Sequence, residues 1–238
     1  MRLPEPNLFI PTDFSILDIE AENNEKVHPV IILDTPLMRV WYKQDTEFLK
    51  PKSFIAFDFS NPIVYSDPLN CNLTHLFVQL FKDSLTEFLY SAELAGLRLT
   101  ISNTTNGISM LINGYSDKQN KFLETILEKL FNFKVDEKRF EILCEQYLRG
   151  LKNFSAEQPY QLAIYYLAVI LTEQAWTKKE LIDAMSLVTV DRLKNYIEEV
   201  TSRLHAECFI YGNVNKEKAV QLSNLVENQV RRLRNWRI

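Results

Sequence analysis

Glycine is scarce in this chain: there are five among 238 residues, and no Gly-x-Gly or Gly-Lys-Ser/Thr string occurs. Nucleotide-binding loops need closely spaced glycines, because their backbone must approach the phosphates without a Cβ in the way. The dinucleotide-binding fingerprint and the P-loop are therefore excluded. A Gly-x-Ser-x-Gly nucleophile elbow is also missing, which removes the usual signature of an α/β-hydrolase.

Histidine is equally scarce, with His28, His75 and His205 as the three examples. A zincin-type site needs two histidines one turn apart on a helix and a third ligand, and neither H-E-x-x-H nor H-x-x-E-H occurs. We predict that His75 is a packed or surface histidine of a helix. Cys208 lies three residues after His205 in a strand-like run, so the two should point to opposite faces. The sequence predicts no catalytic, metal-binding or cofactor-binding residue.

Cysteine and charge exclude further classes. The three cysteines lie far apart with no Cys-x-x-Cys pair, so a disulfide scaffold or a zinc ribbon is excluded: Cys71, Cys144 and Cys208. Free thiols and the absence of a visible signal peptide predict a cytoplasmic location. The net charge of −4 argues against a nucleic-acid partner, and no apolar run is long enough for a membrane span.

Apolar residues are abundant, at 46% of the chain including 15 phenylalanines, and they follow recognisable periods. Strand patterns cover residues 30–33, 37–42 and 54–59. Residues 73–92 carry one wide apolar stripe and predict a single helix of about six turns, entered at Asp67-Pro68 and stopped by Gly96. A hairpin follows, with Asn106-Gly107 expected to supply the left-handed backbone that its loop needs.

The second half of the chain is predicted to be mostly helical, and its helix starts carry caps. The predicted caps are Asp117, Asp136, a capping box at Ser155–Gln158, a second box at Thr177–Glu180, and Thr189. A strand at 206–211 and a helix from Lys216 close the chain. An aromatic group could line a peptide groove, but its helical spacing predicts core for most of its members: Tyr160, Tyr165, Tyr166 and Trp176.

This order of elements is not a repeating β-α alternation and predicts an α+β fold. We expect a two-layer sandwich of a mainly antiparallel sheet with helices on one face. Residues 1–29 are punctuated by proline and then acidic, which predicts a linker or lead-in segment. Residues 30–238 are expected to form one domain.

Several strings, in order and at matching spacing, resemble the third, or middle, domain of the insulin-degrading-enzyme (insulysin/pitrilysin) family of zinc metallopeptidases. The resemblance runs from about residue 3 to about residue 227. The strings are Phe9–Thr12, Trp41–Asp45, Tyr65–Pro68, Asp83–Leu85 through Ala92–Gly96, Gly114–Gln119, Asp136–Ile142, Asn153–Pro159, Thr172–Lys178 and Ser202–His205.

The resemblance implies a two-layer α+β unit of the metallopeptidase and processing-peptidase type. Enzymes of this family contain four such units, which enclose a chamber around peptide substrates. The H-x-x-E-H motif and the third zinc ligand belong to the first unit, so any zinc would be bound outside this chain. The implied partners are the adjoining fourth domain, the N-terminal catalytic half and the peptide substrates.

Two functions remain open from the sequence. In the first, the chain is the non-catalytic middle domain of a zinc metalloendopeptidase, which predicts an exposed apolar patch where the neighbouring domain is absent. In the second, it is a stand-alone, inactive module of the same family that binds a peptide or a partner. An enzyme of another class has no motif to support it.

Overall fold

The computed structural model describes residues 6–20 and 28–235, with side chains described as far as residue 231. These residues form six strands: β1 (Val30–Asp34), β2 (Met38–Gln44), β3 (Lys52–Ser60), β4 (Arg98–Asn103), β5 (Gly107–Tyr115) and β6 (His205–Gly212). The same residues form eight α-helices: α1 (Pro68–Ser84), α2 (Thr86–Leu94), α3 (Gln119–Phe131), α4 (Glu137–Asn153), α5 (Pro159–Leu171), α6 (Lys178–Ala184), α7 (Val190–Ser202) and α8 (Lys216–Asn235).

The six strands form one sheet in the order β1-β2-β6-β3-β5-β4. Neighbouring strands are antiparallel except β2 and β6, which run parallel and place Val40 opposite Cys208. A parallel pair needs a long crossover connection, and here the whole segment between β2 and β6 supplies it. The prediction of a mainly antiparallel sheet is confirmed.

The helices cover one face of this sheet. Along β3, Ile55, Phe57 and Phe59 are buried against them, while Phe54 and Ala56 on the other face are half-buried. The same alternation runs along β2, β5 and β6, because successive residues of a strand point to opposite faces. Helices α1, α3, α7 and α8 contribute most of the buried helical side chains. The predicted two-layer α+β fold is therefore confirmed.

The predicted long helix is interrupted at Leu85, so α1 and α2 are separate. Ser84 donates its hydroxyl proton to the carbonyl of Phe81 (2.7 Å), and Thr86 donates to the carbonyl of Asp83 (2.9 Å). Such bonds compete with the helical backbone pattern and favour a break. The ends are as predicted: Asp67 caps α1, and Gly96 follows α2 with a φ of 81°.

The predicted helix caps divide into confirmed and wrong ones. Asp136, Thr177 and Thr189 each accept backbone N–H bonds, and Thr177 forms the full capping box with Glu180. The box at Ser155–Gln158 is wrong. Helix α5 begins at a proline, whose fixed φ and missing N–H suit the first helical position, and Ser155 donates instead to the carbonyl of Lys152.

Asp117 does not cap α3. Its carboxylate instead binds the lead-in segment, of which the structure describes residues 6–20 and residues 28–29. Its Oδ2 accepts the backbone N–H of Thr12 (2.9 Å) and of Asp13 (3.2 Å). Upstream, Phe9 is buried with ring centroids 5.3 Å from Phe88 and 5.5 Å from Phe122. The lead-in segment has no helix or strand among its described residues, but it is attached to the sandwich by specific contacts.

Candidate functional surfaces

The three histidines lie in separate places. His75, on α1, stacks on Tyr147 of α4 with ring centroids 4.1 Å apart, and burial lowers the pKa of its imidazole. His205 opens β6, where its Nδ1 lies 3.1 Å from the carbonyl oxygen of Pro36. His28 lies just before β1. Across the described parts of the chain, no group of three or more His, Cys, Asp or Glu side chains could hold a metal ion. These residues do not fit a zinc site.

His205 and Cys208 do point to opposite faces of the sheet. Cys208 is fully buried beneath the helices, and this burial raises the pKa of its thiol well above the ordinary value. A nucleophilic cysteine needs an accessible thiolate stabilised by nearby positive charge. The geometry therefore does not allow Cys208 to act as a nucleophile with His205 as its base.

The face of the sheet away from the helices carries two rows of side chains, and we call it the open face. These side chains are half-buried on four strands and exposed on β4. Strand register places the first row side by side across five strands: Lys43, Tyr211, Phe54, Asn113 and Arg98. The second row, two residues along each strand, is Trp41, Phe209, Ala56, Leu111 and Thr100.

The rings of the open face contact one another. Phe54 meets Phe209 edge-on with centroids 6.2 Å apart, and Phe209 stacks with Tyr211 at 6.4 Å. Trp41 donates from Nε1 to the carboxylate of Glu207 (2.8 Å). A face of aromatic rings with polar edges can contact extended peptide, because rings supply area while the polar groups fix orientation.

The second surface is α5, which has no buried residue at all. Its segment, residues 159–171, contains no charged side chain. Six of its large side chains are between 55% and 79% exposed: Tyr160, Ile164, Tyr166, Leu167, Ile170 and Leu171. A helix that is apolar all round is normally buried. Single exposed apolar residues are ordinary on a protein surface, whereas a continuous apolar surface such as that of α5 is typical of a contact site.

The prediction that the aromatic group is mostly core is wrong for Tyr160 and Tyr166, which are exposed. Tyr165 and Trp176 are half-buried, and both are hydrogen-bonded. The hydroxyl of Tyr165 accepts the backbone N–H of Lys178 (2.7 Å), and Trp176 donates from Nε1 to the carbonyl of Tyr65 (3.0 Å). Periodicity showed that the segment is apolar but not which surface covers it. The missing charges along 159–171 were the signal that could have marked α5 as a contact surface.

No helix among the described residues is long and apolar enough to cross a lipid bilayer.

Known proteins resemble the chain over nearly its whole length. The family model described as the middle or third domain of peptidase M16 matches residues 1–184. The insulin-degrading enzyme of Drosophila melanogaster is 55% identical over 97% of the chain, and that of Homo sapiens is 47% identical over 95%. The crystal structure of pitrilysin superposes with a TM-score of 0.88 at 22% identity over 97% of the chain. The chain spans 23%, 22% and 24% of these three proteins, less than a quarter of each.

Proposed function

Since this chain belongs to the family of the middle, or third, domain of M16 peptidases, we propose that it serves as a non-catalytic part of a larger zinc metalloendopeptidase resembling insulin-degrading enzyme. In this proposal, another part of the same polypeptide binds the zinc ion and cleaves the peptide. The chain contributes part of the wall of the chamber that holds the peptide. Its curated relatives, more than four times as long, support the larger protein.

The observation that carries the proposal is the exposure of α5. Water contact with its apolar surface costs about 25 cal/mol per Å². The helix presents six large apolar side chains and no charge, so a partner of matching apolar character would lower the free energy. We propose that this partner is the remainder of the same polypeptide, comprising the adjoining fourth domain and the catalytic half.

The open face has a different role in this account. Its aromatic rings are only half-buried and alternate with polar side chains such as Asn113 and Lys43. We propose that this face is turned toward the chamber, where it contacts extended peptide. The lead-in, residues 1–29, would connect residues 30–238 to the preceding catalytic half. Three free cysteines support a reducing, cytoplasmic location.

A hydrolysis assay tests the non-catalytic role. The purified chain is incubated with a fluorogenic peptide and zinc, beside the longer polypeptide from the same source. We expect the longer polypeptide to hydrolyse the peptide and the purified chain not to do so. A metal chelator should stop hydrolysis by the longer polypeptide. Zinc-dependent turnover by the purified chain, with contaminating proteases controlled, would refute the proposal.

Substitution of α5 tests the docking role. Leu167→Glu with Ile170→Glu should leave the unfolding of the isolated chain unchanged, because neither side chain packs in the core. In the longer polypeptide the same double variant should expose the interface and lower peptide turnover. Leu94→Glu, at a leucine that is 70% exposed on α2, is the matched control. Equal effects of Leu94→Glu and the double variant would remove α5 from the proposal.

A further inference from the structure

A cavity of about 600 Å³ lies at one end of the open face. The first row of that face forms its floor, with Tyr211, Phe54, Asn113 and Arg98 crossing four strands. Binding pockets for small ligands span about 300–1,000 Å³. The cavity is therefore large enough to hold one or two side chains of a bound peptide.

One wall of the cavity is the loop after β2, which Asp45 holds in shape. The Oδ1 atom of Asp45 accepts the backbone N–H of Glu47 (3.1 Å) and of Phe48 (2.9 Å), and the hydroxyl of Tyr211 (3.2 Å). Burial acts to raise the pKa of this carboxyl, but the backbone hydrogen bonds from Phe48 and Glu47 and the hydroxyl of Tyr211 together lower it below its ordinary value. The carboxylate of Asp45 is thus hydrogen-bonded to the loop and to Tyr211.

The same loop contains Leu49, whose φ of 49° lies in the left-handed region that residues other than glycine rarely adopt. Strain of this kind persists where surrounding contacts impose it, and it is concentrated at binding sites. Here it accompanies Phe48, which is 64% exposed and faces the cavity beside Lys50.

Cations outnumber carboxylates in the lining of the cavity by three to two. Lys50, Lys52 and Arg98 all line it, and none of them forms an ion pair with a carboxylate of residues 6–20 or 28–231. Lys50 instead lies 5.6 Å from the ring centre of Phe48, and Lys52 lies 5.0 Å from that of Tyr115. Glu93 is the one lining carboxylate that the loop does not use. Three cations thus face this cavity in a chain whose net charge is −4.

We propose that this cavity binds an acidic side chain of an extended peptide. Its carboxylate would meet Lys52 and Arg98, while apolar neighbours in the peptide would rest on Phe48 and Phe54. Hydrogen bonds between a carboxylate and a cation are stronger than neutral ones, and an aromatic wall reduces their competition with water. This inference rests on the proposed function, since peptide is the ligand of the larger enzyme.

The test measures binding to the 238-residue chain by fluorescence anisotropy, without hydrolysis. The probe is a short peptide, capped at both ends and labelled with an uncharged dye, in which glutamate alternates with phenylalanine and threonine. A matched probe has glutamine at every glutamate, so any difference reports the side-chain carboxylates alone. The site variant is Lys52→Gln with Arg98→Gln. The control, Lys138→Gln with Lys179→Gln, removes the same charge from exposed positions outside the cavity. Circular dichroism confirms the fold of each.

We expect the acidic probe to bind about tenfold more tightly than the glutamine probe, as one or two charge-assisted hydrogen bonds provide. The site variant should reduce that preference below about twofold, and the control should keep it. Equal binding of both probes, no binding of either, or full preference in the site variant would overturn the proposal. Because the assay needs no turnover, a chain that prefers the acidic probe but never belongs to a larger peptidase would refute the proposed function and leave this site intact.

Discussion

The hydroxyl of Tyr147 donates a hydrogen bond to the amide oxygen of Asn72 over 2.9 Å, and the same amide donates to the carbonyl of Leu181 over 2.8 Å. One fully buried asparagine therefore joins α4, α1 and α6. Asn72 also begins an Asn-x-Thr sequon, and its burial keeps that sequon from being glycosylated in the folded protein.

We predict that Asn72→Ala lowers the free energy of unfolding by about 1–3 kcal/mol, because it leaves the buried carbonyl of Leu181 and the half-buried hydroxyl of Tyr147 without this partner. Urea unfolding followed by circular dichroism measures the change. Asn153→Ala, at an exposed asparagine of another sequon, should change stability by less than about 0.5 kcal/mol. Equal losses in the two variants would show that the bond network contributes nothing.

Phe9 anchors the lead-in segment, and Phe9→Ala should cost about 3 kcal/mol of stability by leaving a void between Phe88 and Phe122. Leu8, the preceding residue, is 76% exposed, so Leu8→Ala should be near neutral. Thermal unfolding of both variants measures the difference. A neutral Phe9→Ala would mean that residues 6–20 do not pack on the sandwich in solution.

Asp117 makes the attachment of the lead-in segment depend on pH. The N–H of Thr12, followed by the ammonium of Lys118, donates hydrogen bonds that together lower the pKa of this carboxyl to about 2 against the opposing effect of burial. A carboxyl whose pKa is lower in the folded state stabilises the fold above its unfolded pKa and loses that contribution as the pH falls. The loss should occur between about pH 5 and pH 2.

The measurement for Asp117 is unfolding in denaturant across that pH range. Wild type should lose more stability on acidification than Asp117→Asn, which has no carboxyl to protonate there. Parallel pH profiles for the two proteins would contradict the assignment.

Two glycines should respond to alanine in opposite ways. Gly212 has a φ of 122°, and a Cβ there would lie 2.5 Å from the carbonyl oxygen of Lys52, so Gly212→Ala should destabilise the protein. Gly150 lies within α4 with nothing near its Cβ position, so Gly150→Ala should stabilise it by about 0.5–1 kcal/mol. Melting temperatures of the two variants decide this, and a shift of the same sign in both would contradict the backbone assignment.

Much of the fold could be predicted because local patterns and packing agree. The strands alternate, and Thr177 forms its box with Glu180, three residues along the chain. The hairpin turns between β4 and β5 as predicted, but neither Asn106 nor Gly107 has the left-handed backbone that was expected there. The break at Leu85 could not be read from apolar spacing, since it depends on the hydroxyls of neighbouring residues. Asp117 looked like a cap because its partner, the lead-in segment, lies more than a hundred residues away.

The functional surfaces were harder to predict than the fold. The spacing within α5 showed an apolar segment, but exposure is decided by tertiary neighbours, and the described residues place none over Ile170 or Leu171. The cavity on the open face joins Lys50 and Lys52 to Arg98, which lies in a different hairpin. Only the strand register brings these cations together.

The most direct test of the central claim is the size of the native protein that contains this chain. An antibody raised against the purified 238-residue chain is used to immunoblot cells of the source organism under denaturing conditions. Because the chain covers 23% of the Drosophila relative, the account predicts a band at about four times 27.9 kDa. A single band near 27.9 kDa would contradict it and would favour the stand-alone binding module.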